Sequence, residues 1–377
     1  MQNFNLKKIR HYLHENPELS SNEKNTHDFL VEKLALLQPV KIYKNLGGFG
    51  VAAVFGSENP DKTIMFRCDT DALPIREESA LDYQSKTKGV AHLCGHDGHM
   101  TIMLGFAEKL SQIADRLKNR VVLLFQPAEE TARGAKAVLV DPRFTEIEPD
   151  LIFGLHNLPG FETHEIILRK GIFASASKGM VFRFAGKTSH AAHPENGQNP
   201  ALAISQLIQN LLALPTQFVA FNNAALITII HVKIGDIAFG TSAGEGVVMA
   251  TFRSHNNADM QTMTKQALKT AQNLANAFDL GLSTEAVEIF ASTKNEDKAF
   301  EIVAQSAKNL NLPATQPDHP FPWSEDFGFF TEKYNGCFFG IGSGRNHPQL
   351  HNHDYDFPDE IITTGINMYS QILKNLE

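Results

Sequence analysis

The stretch VVLLFQPAEE, residues 121–130, runs from five apolar residues into two consecutive glutamates. A short apolar run bounded by turn residues and polar residues is typical of a buried strand. Two other stretches have the same form: IMFRC leads to Asp69 and Asp71, and LIFGL leads to His156. Because the carboxyl ends of parallel strands lie at one edge of an open α/β sheet, we expect these polar residues to meet there.

The pattern on either side of this stretch predicts an α/β protein with two domains. Short apolar strands alternate with helical periodicity, including a helix over about 98–117 and a short helix near Ala135. From about Ser177 the order changes to β-α-β-β-α-β, the ferredoxin-like order. We therefore predict a discontinuous catalytic domain with a mostly parallel sheet, residues 1–176 and 294–377, and an inserted lid or dimerisation domain, residues 177–293.

The composition argues against several classes of function. The 377 residues include 34 basic and 42 acidic side chains, and the resulting net charge of −8 does not favour a nucleic-acid surface. The N-terminal residues lack the apolar run of a secretion signal, and no apolar stretch approaches the ~20 residues of a membrane span. Three cysteines form no paired framework. We expect a cytoplasmic protein that binds neither nucleic acid nor a membrane.

The segment Cys94–His99, CGHDGH, concentrates four potential metal ligands in six residues. A lone cysteine is more often a small buried apolar residue than a ligand. Here it lies two residues before His96, at a predicted junction of strand and helix. Thiolate, imidazole and carboxylate together suit zinc or another late first-row metal.

Further candidate ligands follow along the chain. Glu129 and Glu130 follow a strand, where burying two carboxylates without cations would be costly. His156 follows another strand end, where a core histidine and a ligand are about equally expected. The segment HPQLHNHDYDFPDE, residues 347–360, contains three more histidines. Since five or so such groups can hold two ions, a metal-dependent hydrolase is the leading hypothesis.

Eight segments in order carry a family resemblance: HENPELSSNE, RCDTDALPIREE, HLCGHDGHMT, QPAEET, GLHNLP, GKTSHAAHPENGQNP, SEDFGFF and LHNHDYDFPDE. They resemble the metallo-aminoacylase and carboxypeptidase family known as peptidase family M20. They are most similar to its amidohydrolase branch, which includes hippurate hydrolases, N-acetyl-diaminopimelate deacetylases and auxin-conjugate hydrolases. The resemblance covers nearly the whole chain.

The resemblance implies a site with two divalent metal ions per subunit. It gives Cys94 the bridging position between the ions, His96 and His156 to one ion, and Glu130 and His351 to the other. Zinc, manganese, cobalt and nickel are all compatible with this mixed set of ligands.

The resemblance also implies catalytic and substrate-binding roles. It makes Glu129 the general base and Asp71 the carboxylate that orients a metal ligand. It places His190 over the substrate carbonyl, from the same chain or from the partner in a homodimer formed by the inserted domain. It places Arg253 where it would grip a substrate carboxylate. The alternative for Asp71 is a solvated loop carboxylate, and the alternative for Arg253 is a surface strand residue.

The implied activity is hydrolysis of the amide bond of an N-acyl amino acid or a related small amide by water activated by two metals. A metallo-dipeptidase or carboxypeptidase with the same site is the alternative, and a binding protein without activity is a third. Glu129 argues against the third, because binding alone needs no uncoordinated carboxylate. The chain departs from the family pattern at one place that concerns substrate specificity. Relatives carry an Asn-Val-Ile-Pro-like turn where this chain reads GTSAGEG, residues 240–246.

Overall fold

The computed structural model describes residues 4–57 and 59–377, which divide into two compact units. Within the described residues, the first unit contains the chain up to Phe173, Thr293–Pro320 and Glu325–Glu377. The second unit contains Ala174–Ser292 and Phe321–Ser324. We expected residues 321–324 in the first domain. They belong to the second unit because Phe321 O accepts hydrogen bonds from the backbone N–H (3.0 Å) and the hydroxyl (2.7 Å) of Ser175.

The first unit is built on a mixed sheet, eight-stranded in the described part of the chain. Its strands are β1 (Lys41–Leu46), β2 (Gly50–Gly56), β3 (Thr63–Asp69), β4 (Arg120–Gln126), β5 (Leu151–Leu158), β6 (Ile166–Ile167), β15 (Ala314–Thr315) and β16 (Asn335–Gly342). Their order is β1-β2-β4-β3-β5-β16-β6-β15. The centre, β4-β3-β5-β16, is wholly parallel. This confirms the predicted α/β class with a mostly parallel sheet.

Helices cover this sheet: α1 (Leu6–Glu15), α2 (Lys24–Ala35), α3 (His96–Ser111), α4 (Gly134–Val140), α7 (Asp297–Asn309), α8 (Gly328–Thr331) and α9 (Ile362–Lys374). Strand β3 is buried along its whole length, and almost all of β4, β5 and β16 is buried too, as expected for parallel strands covered on both faces. The third helix was predicted over about 98–117. It ends at Ser111, and a separate 3-10 turn follows at Ala114–Arg116.

The second unit has the βαββαβ order that the sequence predicts. Its main elements are β8 (Ala176–Ala185), α5 (Ala201–Phe218), β10 (Ala225–Ile234), β12 (Glu245–Ser254), α6 (Asn257–Ala277) and β13 (Gly281–Phe290). The antiparallel sheet has the order β10-β12-β8-β13, which confirms the ferredoxin-like topology. Short strands β7 (Gly171–Ala174), β9 (Ser189–His190), β11 (Thr241–Ser242) and β14 (Thr293–Asn295) complete the chain.

The apolar face of α5 is used inside the second unit. Ala203, Leu207, Leu211 and Leu214 are all buried, and they belong to the cluster that includes the sheet residues Phe182 and Phe252. These side chains therefore pack against the unit's own sheet. Across residues 4–57 and 59–377, none of the helices combines the length and the apolar character that crossing a membrane requires.

Candidate metal centre

The candidate ligands converge at the carboxyl edge of the parallel strands. Cys94 and His96 lie at the start of α3, where Gly95 takes a left-handed conformation with φ of 91°. His156 is near the end of β5. His351 also has a positive φ, 67°, and its backbone N–H donates to Leu93 O at 2.8 Å. That hydrogen bond holds the C-terminal loop beside the segment that carries Cys94.

Two groups of possible ligand atoms share the Cys94 sulfur. In one group the ligand atoms of Cys94, His96 and His156 all lie within 4.8 Å of one another. In the other, those of Cys94, Glu130 and His351 satisfy the same limit. The two groups are close to each other, because Glu130 Oε1 is 3.8 Å from both His96 Nε2 and His351 Nε2. Five side chains thus surround two possible ion sites. The Cys94 sulfur belongs to both of them.

The two buried histidines are oriented to present Nε2 to this volume. His96 Nδ1 donates to the backbone oxygen of Asp71 at 2.8 Å, and His156 Nδ1 donates to the backbone oxygen of Asn157 at 2.7 Å. His156 Nε2 then faces Cys94 Sγ at 3.4 Å. An N–H hydrogen bond at one ring nitrogen fixes the tautomer that leaves a lone pair on the other, as metal-binding histidines require.

Asp71 connects two candidate ligands. Besides the backbone contact to His96, its Oδ1 lies 3.5 Å from His96 Nδ1. Its Oδ2 accepts hydrogen bonds from Glu130 N at 3.0 Å and from Ser20 Oγ at 2.7 Å. Asp71 is therefore wholly buried and bonded rather than a solvated loop carboxylate.

The polar atoms that face this volume fit divalent cations. His96 Nε2 and Glu130 Oε1 are two of the buried side-chain atoms that have no hydrogen-bond partner in the described part of the chain. Buried polar atoms are nearly always paired with protein, water or an ion, so these two atoms mark a place where another group belongs. The donor set of one sulfur, three imidazole nitrogens and a carboxylate matches borderline metals such as zinc.

The electrostatics of the site also favour a cation. The pKa of the Cys94 thiol is held well above its usual range. Burial is the largest cause, and the nearby carboxylates of Glu130 and Glu129 add to it. Burial and the neighbouring Asp71 and Asp69 raise the pKa of Glu130 to about 8, against the opposing influence of His96. A divalent cation reverses such shifts, because it stabilises thiolate and carboxylate.

Glu129 has a different environment from Glu130. Its carboxylate lies within 4.8 Å of the candidate ligand atoms of His96 and Glu130, but it belongs to neither group that contains Cys94. Its Oε1 accepts a 3.4 Å hydrogen bond from the backbone N–H of Asp326. The pKa of Glu129 is raised well above its usual range, mainly by burial and next by the nearby carboxylates of Glu325 and Glu130. Glu129 also forms a possible ligand group with His96 and Glu130, so its carboxylate lies beside the two groups that share Cys94 but outside both of them.

A buried ionic network behind the site was missed by the sequence analysis. The Arg67 side chain is wholly buried and donates to Gln126 Oε1 at 2.8 Å, Asp69 Oδ2 at 2.9 Å and Asp326 Oδ1 at 2.6 Å. Asp69 also contacts His99 Nδ1 at 2.6 Å. The available signal was an arginine inside the apolar strand IMFRC, because buried arginines are rare unless they are paired.

His190 and Arg253 belong to the second unit. His190 is exposed, and β9 pairs with β11 so that His190 is opposite Thr241. The atypical turn at 240–246 thus supplies the strand partner of His190, and Gly240 O also accepts from Ala191 N at 3.0 Å. Arg253 is half-buried and donates to Pro322 O at 2.9 Å and Ser324 Oγ at 3.3 Å.

Comparison with known proteins agrees with the fold. Residues 65–375 match the family described as Peptidase family M20/M25/M40. A hippurate hydrolase of Campylobacter jejuni is 32% identical over 369 residues, covering 97% of this chain and 95% of the relative. An N-acetyldiaminopimelate deacetylase of Oenococcus oeni is 31% identical over 370 residues, covering 96% and 95%.

A solved structure shows the same architecture. The crystal structure of a dinuclear metal-binding peptidase of the M20 family from Bacillus subtilis aligns with a TM-score of 0.83 and 25% identity, covering 98% of this chain and 97% of that one. The resemblance found in the eight sequence segments is thereby confirmed. The chain belongs to peptidase family M20.

Proposed function

We propose that this M20 metallohydrolase cleaves the amide bond of N-acyl amino acids. The observation that carries the proposal is the arrangement of two candidate ion sites that share Cys94, with the Glu129 carboxylate beside them and outside both. A carboxylate that coordinates a cation cannot also transfer protons freely, so two consecutive glutamates with separate environments suit two separate roles.

In this proposal His96 and His156 hold one divalent ion, Glu130 and His351 hold a second, and Cys94 contributes to both. Zinc, manganese, cobalt and nickel remain the candidates for the metal. When bound, such ions supply Lewis-acid activation of a carbonyl and of water.

Glu129 then performs the proton transfers. It accepts a proton from the attacking water as the new carbon–oxygen bond forms, and it returns that proton to the departing nitrogen as the carbon–nitrogen bond breaks. Hydrolysis is balanced in this way, with a carboxylic acid and a free amine as products. The contact of Glu129 with Asp326 N leaves the carboxylate anchored on one side only, which supports this role.

We propose further roles for the second unit. His190 would stabilise the oxyanion, and Arg253 would bind a carboxylate of the substrate. Association into a homodimer is supported by β10, an edge strand with exposed apolar side chains at Leu226 and Ile230. Natural proteins usually cover or charge such an edge, so pairing with a second copy is the expected use.

The substrate class is supported by the names of two relatives, hippurate hydrolase and N-acetyldiaminopimelate deacetylase. Each name denotes an enzyme that acts on an N-acyl amino acid. The test is a hydrolysis screen over N-acetyl and N-benzoyl amino acids and dipeptides. Metal-free protein would be reloaded with each of the four candidate metals. Cleavage of dipeptides alone would overturn the proposal in favour of a metallo-dipeptidase.

The role of Glu129 is tested by the variant Glu129→Gln. We expect kcat to fall by about 10² to 10⁴-fold with both metals retained, because the change removes a proton acceptor and leaves the proposed ligands in place. Metal content is measured by plasma mass spectrometry beside the kinetic assay. Glu32→Gln, at an exposed glutamate of α2 (68% side-chain exposure), is the matched control. Turnover near the wild-type rate in Glu129→Gln would identify another group as the base.

A further inference from the structure

The loop that carries both glutamates is attached at both ends to one side chain, Asp326. The loop lies between Gln126, at the end of β4, and Ala135, in the first turn of α4. Gln126 Nε2 donates to Asp326 Oδ1 at 3.0 Å and to Oδ2 at 2.8 Å, and Ala135 N donates to Oδ2 at 2.9 Å. The carboxylate thus bridges the two points where the chain leaves and re-enters regular structure.

The same residue contacts the proposed base directly. The backbone N–H of Asp326 donates to Glu129 Oε1 at 3.4 Å. Arg67 locks this arrangement from behind, because Nη2 donates to Asp326 Oδ1 at 2.6 Å and Nε donates to Gln126 Oε1 at 2.8 Å. Both oxygens of Asp326 therefore accept hydrogen bonds, while burial, opposed by Arg67, and the nearby Glu325 raise the pKa of Asp326 well above its usual range. All three side chains of this network are buried.

The loop needs such support because its backbone is unfavourable by itself. Ala128 and Ala132 both have positive φ, 51° and 55°, in the left-handed region that costs a residue other than glycine about 1 kcal/mol or more. Gly134 approaches the loop closely enough that an added Cβ would lie 1.6 Å from Pro127 O. Strained backbone of this kind persists only where surrounding bonds determine it.

We infer that Asp326 is a positioning residue for Glu129, which rests on the proposed role of Glu129 as the base. The Asp326 side chain fixes both ends of the loop, and its N–H fixes the carboxylate that the loop presents. A displacement of about 1 Å in a reacting group can reduce a rate by about 10²-fold. Loss of this bridge is therefore expected to lower turnover while the candidate ligands stay in place.

The test is Asp326→Asn in the metal-loaded protein. Either orientation of the new amide turns its NH₂ group towards donors, because Oδ1 faces Arg67 and Oδ2 faces Ala135 N. We expect kcat to fall by about 10²-fold, KM to stay within about threefold, and metal content to stay at the wild-type value. Wild-type kcat, or a fall in kcat that follows a loss of metal, would overturn the inference.

A matched control separates positioning from general destabilisation. Asn295 is equally buried, and its amide donates to Arg169 O and Phe338 O, both at 2.9 Å, and accepts from Phe338 N at 2.7 Å. Asn295→Asp creates a comparable mismatch of donors and acceptors in the same unit, without contact to the loop. It should lower the Tm and leave kcat unchanged. An equal fall in kcat in this control would show that any destabilisation of the unit suffices.

A double variant tests whether Asp326 acts through Glu129. Adding Asp326→Asn to Glu129→Gln should cause no further loss of kcat, because the group being positioned has already been disabled. A further large loss would contradict the inference. If Asp326→Asn does not fold, Gln126→Met takes its place, since it removes one bridge and keeps the shape, with an expected fall of about tenfold.

The two proposals fail in different ways. Wild-type turnover in Glu129→Gln would refute the proposed function. Wild-type turnover in Asp326→Asn, with Glu129→Gln inactive, would refute only the positioning role.

Discussion

The pH dependence of stability should be governed in part by His14, a buried histidine of α1 held between two acids. His14 Nδ1 contacts Asp97 Oδ2 at 2.8 Å, and Nε2 contacts Glu77 Oε1 at 3.3 Å. Asp356 Oδ1 is 3.9 Å from Nδ1, and Arg10 is paired with the same two aspartates. Because both ring nitrogens face carboxylates, the doubly protonated imidazolium is the favoured form.

The magnitude follows from the pKa of His14. Burial alone would lower that pKa, but the hydrogen bonds to Asp97 and Glu77 overcome burial and raise it to about 10. The ordinary value is about 6.5. At about 1.4 kcal/mol per pH unit, the difference corresponds to about 5 kcal/mol of stability. Since the folded pKa is the higher one, this stability is fully present below about pH 6.5 and is lost as the pH rises towards 10.

The assay compares wild type with His14→Gln, a neutral replacement that cannot titrate. Urea unfolding is followed by circular dichroism at pH 6.5, 7.5, 8.5 and 9.5, and the unfolding free energies are extrapolated to water. The wild-type advantage should shrink by about 1.4 kcal/mol per pH unit. Groups that do not contact His14 titrate in both proteins and cancel in the difference. An advantage that stays constant from pH 6.5 to 9.5 would show that His14 is not charged in the folded protein.

Two other predictions concern the metal ligand and the assembly. Bound metal should shield Cys94 from a maleimide reagent, and chelation should expose it; equal labelling in both states, with Cys68 and Cys337 replaced by serine, would remove Cys94 from the site. His190→Ala should lower kcat more than it raises KM, because the histidine is proposed to act on the transition state, and the protein should sediment as a dimer. The third measurement mixes His190→Ala subunits with Glu129→Gln subunits. Recovered activity would mean that His190 acts across the dimer. No recovery, in a dimer shown to exchange subunits, would place its action within one chain.

The convergence of the candidate ligands could be predicted from the sequence because it depends on local signals. An apolar run followed by a polar residue indicates where a strand ends, and a parallel sheet brings such ends together. IMFRC, VVLLF and LIFGL all have this form, and they become β3, β4 and β5. The proposed role of Asp71 as an orienting carboxylate came only from the family resemblance, and it stays a prediction; in the structure Asp71 Oδ1 lies 3.5 Å from His96 Nδ1.

The supporting network could not be predicted in this way, because it joins residues with no periodic relation. Arg67 and Asp326 are 259 positions apart, and His14 and Asp97 are 83 apart. Which buried acid pairs with which cation is decided by how loops pack at the sheet edge, and apolar periodicity does not report on loops. The end of α3 was misplaced for a related reason, since the apolar pattern continues through the 3-10 turn after the helix has ended.

The separate anchors of Glu129 and Glu130 explain how adjacent residues can take different roles. The backbone N–H of Glu130 donates to the Asp71 carboxylate, and His96 Nδ1 donates to the Asp71 backbone oxygen, so one residue contacts two candidate ligands. The side chain of Glu129 is held by Asp326 N instead. Neighbouring residues in an extended or turning backbone project in different directions, and here each direction has its own fixed partner. These separate partners support the proposed division between a coordinating and a proton-transferring carboxylate.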